Sequence, residues 1–330
     1  MIETMPETAP PPRVEKLLIA GLRGFCAGVV RAIDVVEKAL AVCDGPVYVR
    51  KEIIHNRYVV DELRRKGARF VDEVDDAPEG SWLVYSAHGV SPEVRDNARR
   101  RGLRTIDATC PLVTKVHAQA RRYADAGYAI VLIGHAGHEE VEGTLGEAPG
   151  SILLVESPAD AERIALPDDR PLAYVTQTTL SVDETHEIVS VLRRRFPQIE
   201  GPAREDICYA TSNRQWAVKE MLPQVDMLIA IGSQNSSNSK RLVEVARAHG
   251  VPAELIDDET ELDEAWFEGV GTLGITSGAS APEHLVDRVC DWFRARGVAE
   301  ITNYAMVQED VEFRLPVELR RELELAASQD

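Results

Sequence analysis

The stretch Asp107-Ala-Thr-Cys-Pro-Leu-Val-Thr-Lys-Val-His117 decides the fold. Leu103 to Asp107 predicts a short strand, and Pro111 stands where a proline favours the first turn of a helix. Cys110 therefore lies between the end of a strand and the start of a helix. Open α/β sheets bind ligands at this position, because the helix N–H groups point outward there. Two further cysteines occupy the same kind of position: Cys26 and Cys208.

The same order of elements follows each of these three cysteines, which indicates an internal repeat. Cys110 comes 84 residues after Cys26, and Cys208 comes 98 residues after Cys110. Two polar loops follow each cysteine, each after an apolar strand and before a helix. The candidate site residues in these loops are His55, His88, His138, Gln177, Thr178, Ser236, Ser237, Asn238 and Ser280. Alternating strands and helices predict an α/β fold with mostly parallel sheets.

We therefore expect three similar α/β modules around a pseudo-threefold axis, with the strand-end loops converging on one site. The repeat predicts a disordered tail over residues 1–12 and module 1 over 13–102. Module 2 covers 103–203, module 3 covers 204–300, and a C-terminal strap and tail covers 301–330. Within the last range, the residues from Val311 are a candidate strand or strap, and Glu318 to Asp330 predicts an exposed helix or tail.

Composition limits the possible partners and the cellular compartment. The chain has 330 residues, a formal net charge of −18 and 44% hydrophobic residues. The negative charge argues against nucleic acid or an anionic membrane as a partner. No apolar run is long enough to predict a membrane span, and no signal-peptide pattern is present. The five cysteines predict a cytoplasmic protein whose thiols act as metal ligands or nucleophiles, not a disulfide framework.

Three thiolates that meet on one axis could bind three irons of a [4Fe–4S] cluster and leave the fourth iron open. Most such clusters use four cysteines. An open metal position can polarise a substrate oxygen. Three unrelated buried cysteines are the plain alternative, but their equivalent positions make it a weak one. A three-cysteine zinc site stays open, although the paired spacing of structural zinc ligands is missing. Cys290 is expected in the core, on the apolar face of its helix.

The histidine, serine and asparagine side chains of the polar loops suit a diphosphate. Imidazoles, hydroxyls and helix N-termini all donate to phosphate oxygens. The serines could equally be helix caps, and the two roles can coexist. Glu140 could carry protons to a substrate or complement a helix dipole, and its spacing does not decide between them. Gln177 and Thr178 could hold a substrate hydroxyl.

Nine motifs together resemble the 4-hydroxy-3-methylbut-2-enyl diphosphate reductase family, from about Leu17 to Leu315-Pro316. They are Gly24-Phe-Cys-Ala-Gly28, His55-Asn-Arg-Tyr-Val-Val60, Ser86-Ala-His-Gly-Val90, Asp107 to His117, Gly137-His-Glu-Glu-Val-Glu-Gly-Thr144, Thr176-Gln-Thr-Thr-Leu-Ser181, Cys208-Tyr-Ala-Thr-Ser-Asn-Arg-Gln215, Gly232-Ser-Gln-Asn-Ser-Ser-Asn-Ser239 and Ser277-Gly-Ala-Ser-Ala-Pro282. Val30 departs from the family pattern, since many members carry Asp there. This position is not one of the predicted ligands.

The resemblance implies a trefoil-like fold around a central, oxygen-sensitive [4Fe–4S] cluster held by Cys26, Cys110 and Cys208. It implies that Glu140 delivers protons and that Thr178 binds the substrate hydroxyl. It also implies that the histidines, serines and asparagine bind chiefly the diphosphate. The implied reaction is reductive removal of an allylic hydroxyl, with ferredoxin or flavodoxin as electron donor. The products would be isopentenyl and dimethylallyl diphosphate.

Two rival functions remain open from the residues alone. One is a three-cysteine [4Fe–4S] hydro-lyase of the quinolinate-synthase type, which would need no external electron donor. The other is a non-enzymatic iron–sulfur sensor, which would need no diphosphate donors. The six polar loops disfavour both. We expect a monomer or a weak homodimer.

Overall fold

The computed structural model describes residues 14–304 and 309–328. Within these ranges, twelve strands and eleven α-helices alternate along most of the chain. The strands are β1 (Lys16–Ala20), β2 (Val47–Arg50), β3 (Arg69–Val71), β4 (Trp82–Tyr85), β5 (Arg104–Asp107), β6 (Ala129–Ile133), β7 (Ile152–Val155), β8 (Leu172–Thr176), β9 (Met227–Ile231), β10 (Ala253–Ile256), β11 (Thr272–Ser277) and β12 (Glu300–Tyr304). The helices are α1 (Ala27–Val42), α2 (Arg57–Arg65), α3 (Pro92–Arg100), α4 (Pro111–Asp125), α5 (Glu139–Glu147), α6 (Pro158–Arg163), α7 (Val182–Arg195), α8 (Tyr209–Met221), α9 (Ser237–Ala248), α10 (Glu283–Arg294) and α11 (Val317–Ala327).

The strands form three separate sheets, and all their pairings in the described ranges are parallel. Sheet A has the order β10-β9-β11-β1-β12, sheet B the order β3-β2-β4-β5, and sheet C the order β7-β6-β8. Parallel neighbours need crossover connections, which the intervening helices supply. The predicted α/β class with several parallel sheets is confirmed.

The strands before Cys26 and Cys110 lie in different sheets from the ones that the module boundaries predict. β1, expected with residues 13–102, pairs with β11 and β12 in sheet A. β5, expected with residues 103–203, pairs with β4 in sheet B. The segment before Cys208 follows the predicted boundary, since Glu200, within module 2, bridges to Ala173 at the edge of sheet C. β5 pairs beside β4, which comes just before it in the chain, whereas β1 pairs with strands near the other end of the chain. Each cysteine therefore lies where the chain passes from one sheet to the next.

Burial on both faces explains why the central strands read as continuous apolar runs. All five residues of β6 and all five of β9 are buried, as expected for parallel sheets that helices cover on both sides. The helices bury one apolar face each. In α10 this face includes Val286, Val289 and Cys290, which confirms the core position predicted for that cysteine. No helix in the described part of the chain is both long and apolar enough to cross a bilayer.

The C-terminal region is more closely packed than the sequence suggests. β12 lies beside β1 in sheet A, and residues 309–316 form no regular element. α11 then packs on the core between α1 and sheet B, with Leu319 fully buried. The expected exposed helix or tail from Glu318 is thus wrong for this side chain, because one apolar face of α11 covers the core. The tail predicted over residues 1–12 lies outside the described residues.

Candidate active site

Loops from all three sheets surround one cleft with an empty volume of about 680 Å³. Twelve of the thirteen predicted site residues line it. They are Cys26, His55, His88, Cys110, His138, Glu140, Thr178, Cys208, Ser236, Ser237, Asn238 and Ser280. The convergence predicted from the repeat is therefore present in the structure.

Each of the three cysteines is the N-cap residue of a helix. Cys26 precedes α1, Cys110 precedes α4 and Cys208 precedes α8, and none of their side chains makes a capping hydrogen bond. The sulfur of Cys208 does contact the Thr211 hydroxyl in the first turn of α8. The positive ends of three helix dipoles also meet here, which favours negative charge on a group bound between the cysteines.

The backbone of each cysteine is tied to a polar loop of the cleft. The Cys110 N–H donates to the carbonyl of Ala87, and the Cys26 N–H donates to the carbonyl of Ala279. These acceptors directly precede His88 and Ser280. The Cys208 N–H donates to the carbonyl of Thr178 itself, at 3.0 Å. Thiol positions and substrate-loop positions are therefore coupled through one backbone bond in each module.

Gly28 leaves room for the sulfur atoms to approach one another. A Cβ atom added to Gly28 would lie 2.9 Å from the Sγ of Cys110 and 3.7 Å from the Sγ of Cys26. Burial raises the pKa of Cys110 to about 12 and that of Cys208 to about 11, and the neighbouring thiols add to both effects. Buried sulfurs gathered beside a glycine suit a soft metal centre, which binds them as thiolates. These residues thus fit a three-thiolate cofactor site.

Three histidine rings form the polar wall of the cleft. The rings of His55 and His88 stack with centroids 4.0 Å apart, and His138 meets both edge-on. The Nδ1 of His55 lies 3.1 Å from a carboxylate oxygen of Glu52, and the Nδ1 of His88 lies 3.3 Å from one of Glu139. A proton on Nδ1 is thereby fixed in both rings. These rings donate through Nε2 once they are protonated, as beside a phosphate.

His138 has a different hydrogen-bond arrangement. Its Nδ1 accepts the N–H of Glu140 at 3.1 Å, so the neutral ring carries its hydrogen on Nε2. Burial, together with the charges of His88 and His55, lowers the pKa of His138 to about 3. His138 is therefore a neutral donor, whereas His55 and His88 have carboxylates that stabilise a positive charge.

The serine and asparagine side chains extend this donor set. Ser236 caps α9 by accepting the N–H of Ser239, and its hydroxyl lies 3.3 Å from that of Ser280. Capping and cleft lining thus coexist, as the sequence allowed. Both side-chain polar atoms of Asn238 are buried without a hydrogen-bond partner. Because such atoms are costly to leave unpaired, Asn238 is built to bind a polar ligand.

Glu140 is buried and is held by Thr178. The Thr178 N–H donates to one carboxylate oxygen at 2.6 Å, and the Thr178 hydroxyl donates to the other at 3.0 Å. Burial nevertheless raises the pKa of Glu140 to about 7, the two bonds from Thr178 only moderating the effect. A carboxyl with this pKa can hold and release a proton near neutral pH.

Gln177 does not line the cleft, contrary to its predicted place in the substrate site. Its amide nitrogen donates to the hydroxyl of Thr179 at 3.0 Å, and its amide oxygen accepts the N–H of His135 at 3.2 Å. Gln177 points into the loop packing because the neighbouring Thr178 and Thr179 take the cleft-facing positions. Gln177 therefore holds the loops that line the cleft in place without lining it.

Sequence reasoning missed several cleft residues. Thr211 places its hydroxyl 3.2 Å from the sulfur of Cys208; its position in the first helical turn after a cysteine was the available signal. Thr179 also lines the cleft. The other missed residues have apolar side chains without reactive groups: Val29, Ile54, Ala87, Val113 and Ala279.

Comparison with known proteins agrees with this site. The family model described as "LytB protein" matches residues 17–294. The reductase of Acidothermus cellulolyticus named 4-hydroxy-3-methylbut-2-enyl diphosphate reductase is 57% identical over 316 residues, covering 96% of this chain and 93% of that protein. The protein of the same name from Burkholderia pseudomallei is 54% identical over 304 residues, covering 92% and 97%.

Solved structures show the same relationship. The structure of the E-1-hydroxy-2-methyl-but-2-enyl-4-diphosphate reductase from Plasmodium falciparum has a TM-score of 0.91 at 38% identity, covering 96% of this chain and 99% of that one. A structure described as (E)-4-hydroxy-3-methyl-but-2-enyl diphosphate reductase, the terminal enzyme of the non-mevalonate pathway, has a TM-score of 0.61 at 35% identity, covering 86% and 100%. The resemblance inferred from the motifs is confirmed: the chain belongs to the LytB family, that of the 4-hydroxy-3-methylbut-2-enyl diphosphate reductases.

Proposed function

We propose that this protein is an iron–sulfur oxidoreductase that acts at the last step of the non-mevalonate isoprenoid pathway. It removes the hydroxyl of (E)-4-hydroxy-3-methylbut-2-enyl diphosphate with two electrons and two protons. The products are water and either isopentenyl or dimethylallyl diphosphate. One observation carries the proposal: a single cleft combines three thiols, a diphosphate-type donor set and a buried carboxyl of raised pKa.

The proposed cofactor is a [4Fe–4S] cluster held by Cys26, Cys110 and Cys208. When bound, such a cluster would pass on the electrons of the external donor one at a time and would supply an open Lewis-acidic iron. Its support here is the set of three cleft-lining thiols, their N-cap positions and the space beside Gly28. No fourth cysteine lines the cleft among the described residues, so one iron has no cysteine ligand in this proposal.

The diphosphate is held on the histidine wall and at the N-terminus of α9. His55 and His88 line this wall with their Nδ1 atoms facing Glu52 and Glu139, and His138 donates as a neutral ring. The other donors are Ser236, Ser237, Asn238 and Ser280. The apolar lining residues hold the carbon chain beside the thiols and keep water away from the allylic carbon.

Glu140 holds the proton that the reaction needs at the departing hydroxyl. Its raised pKa leaves a large fraction protonated at neutral pH. Thr178 orients the Glu140 carboxyl through two hydrogen bonds. The Thr178 hydroxyl, which makes one of them, also lies where it can accept a hydrogen bond from the substrate hydroxyl. Glu140 and Thr178 are thus the proposed catalytic pair.

The electron donor in this proposal is a ferredoxin or flavodoxin, and the location is the cytoplasm. The five cysteines are all unpaired in the described structure, which suits a reducing compartment. Arg99 and Arg104 are basic residues near the end of α3 that could dock an acidic donor, but they form ion pairs with Asp96 and Asp44. They give no support for a donor surface.

An anaerobic assay tests the proposal. The protein is purified without oxygen, its iron and sulfide are measured, and the diphosphate substrate is added with reduced methyl viologen. We expect viologen oxidation with formation of both products. Cys110→Ser should abolish it, whereas Cys43→Ser, which changes a cysteine outside the cleft, should not. Glu140→Gln should retain iron but lower kcat by about 10²–10⁴-fold.

Two outcomes would contradict the proposal. Bound iron with substrate conversion but without viologen oxidation would favour a hydro-lyase. Bound iron with no conversion at all would favour a sensor.

A further inference from the structure

One cation lies five or six residues after each cleft cysteine, on the helix that the cysteine caps: Arg31, Lys115 and Arg214. The sequence motifs do not indicate a common role for these three residues. In the structure all three reach backbone carbonyls of a loop that leads to another cleft cysteine. Their contacts repeat around the pseudo-threefold arrangement.

Arg31, on α1, bonds to the loop before Cys110. Its Nη1 donates to the carbonyls of Ala108 at 2.9 Å and of Thr109 at 3.0 Å. The residue is only 8% exposed. The two carbonyls belong to the two residues directly before the cysteine, so their position fixes the direction in which the Cys110 side chain leaves the backbone.

Lys115, on α4, makes the matching contact before Cys208. Its Nζ donates to the carbonyls of Arg204 at 2.8 Å and of Glu205 at 3.0 Å. It also forms an ion pair with the fully buried carboxylate of Asp206. That carboxylate in turn accepts the N–H of Thr176, at the end of β8.

Arg214, on α8, completes the set before Cys26. Its Nη2 donates to the carbonyl of Gly24 at 2.8 Å, and the residue is 1% exposed. Its charge is balanced by Glu309, which lies in the C-terminal strap. The same strap reaches the first cation, because the Nε of Arg31 donates to the carbonyl of Arg314 at 2.7 Å.

The three contacts form a closed cycle that follows the sheets. Each cation lies on the helix that one cysteine caps and bonds to the loop that precedes another cysteine. The connected pairs are Cys26 and Cys110 beside sheet B, Cys110 and Cys208 beside sheet C, and Cys208 and Cys26 beside sheet A. One buried or half-buried cation thus connects the backbone segments of each pair of cysteines.

We propose that Arg31, Lys115 and Arg214 are positioning residues that hold the three thiols at the spacing of one iron–sulfur cluster. The inference rests on the proposed cofactor. Ligands that act as a unit bind more tightly when neighbouring groups fix their geometry before the metal arrives. The cations supply this fixation through hydrogen bonds to backbone carbonyls just before each cysteine.

Iron retention is the measurement that tests this. Arg31→Met and Lys115→Met are reconstituted anaerobically with iron and sulfide, and iron loss to a strong chelator is followed by visible absorbance. Lys115→Arg keeps a cation at its position and is the conservative rescue. Arg241→Met is the matched control. Arg241 is a half-buried cation of α9 that pairs with Glu184 of α7 and Glu244 of α9. Thermal unfolding of each apoprotein is recorded in parallel.

We expect Arg31→Met and Lys115→Met to release iron about tenfold faster than the parent protein or more. Lys115→Arg should stay close to the parent rate, as should Arg241→Met. If Arg31→Met does not fold, the partly exposed Lys115→Met decides alone. Release at the Arg241→Met rate would overturn the inference, and so would faster release that merely follows a lower apoprotein melting temperature. A parent protein that takes up no iron would refute the cofactor itself, a result that needs no variant.

Discussion

The carboxyl of Glu140 shows how burial can decide between two roles that spacing leaves equal. Glu140 does lie in the first turn of α5, where an acidic side chain complements the helix dipole. It is also only 2% exposed and faces Thr178 across the cleft. The raised pKa follows from that burial. Position in a helix is readable from sequence, but the solvent exclusion that raises the pKa of this residue depends on parts of the chain far from it, such as Thr178, which lies 38 positions later.

The proton on Glu140 predicts the alkaline side of the pH–activity profile. The protonated form is the active one, so kcat should fall by about tenfold per pH unit above a pKa of about 7. The Thr178 hydroxyl bond lowers this pKa. Thr178→Val should therefore shift the falling limb to higher pH, and Thr178→Ser should leave it in place. Steady-state kinetics from pH 6 to pH 9 measure the shift; an unmoved limb in Thr178→Val would mean that another group titrates.

Among the predicted site residues, Gln177 and Thr178 show what sequence could not resolve. They are adjacent in a motif, and both can hold a hydroxyl. Only the loop conformation places Thr178 in the cleft and Gln177 behind it. The apolar lining escaped prediction for a related reason: Val29 and Ile54 look like any core residues until the cleft beside them is known.

The C-terminal end of α5 joins elements that belong to two sheets. Glu147 is buried there and contacts His117 and Arg121 of α4, in the part of the chain that forms sheet C. It also pairs with Arg95 of α3, which packs on sheet B. Although burial alone would raise it, the pKa of Glu147 is brought down to about 2 by the hydrogen bonds of these partners.

This low pKa predicts a pH-dependent contribution to stability. The pKa of Glu147 lies below its ordinary value of 4.5, so the stabilisation is complete above pH 4.5 and is lost as the pH falls towards 2. Glu147→Gln should lower the free energy of unfolding by about 2–3 kcal/mol at pH 7. The difference from the parent should shrink steadily below pH 4.5.

Urea denaturation at several pH values measures this effect. Glu142→Gln is the control, because Glu142 is an exposed acid on the same helix. A loss in Glu147→Gln that stayed constant down to pH 3 would show that packing, and not the charge, is responsible.

For the whole molecule, the C-terminal helix is part of the core. Leu319 of α11 packs among α1, β5 and their neighbours with no exposed surface, whereas Leu325 on the same helix is 57% exposed. Leu319→Ala should lower the free energy of unfolding by about 2–5 kcal/mol through the cavity it leaves. Leu325→Ala should change it by less than about 0.5 kcal/mol. Equal effects of the two substitutions, measured by urea denaturation, would contradict this packing.

The sequence predicted the parallel sheets and the order of their elements well, because strands and helices alternate in the same order in each copy of the repeat. It failed where a strand had to be assigned to one of two sheets. The repeat groups β1 and β5 with the cysteine that follows each of them, although β1 lies beside β11 in sheet A and β5 beside β4 in sheet B. Local pattern marks a strand but not its neighbours, which depend on crossovers and on strands far away in the chain.

The central position of β1 in sheet A has a consequence for synthesis on the ribosome. Its first residue pairs with Thr272, which is 256 positions later in the chain. Sheets B and C need only strands between Val47 and Thr176. At about 5–20 residues per second, the apolar β1 emerges roughly 13–50 s before the strand that pairs with it. Although β1 leaves the ribosome before the other described strands, it is therefore among the last to pair, and until then it is a natural target for chaperones that bind extended apolar segments.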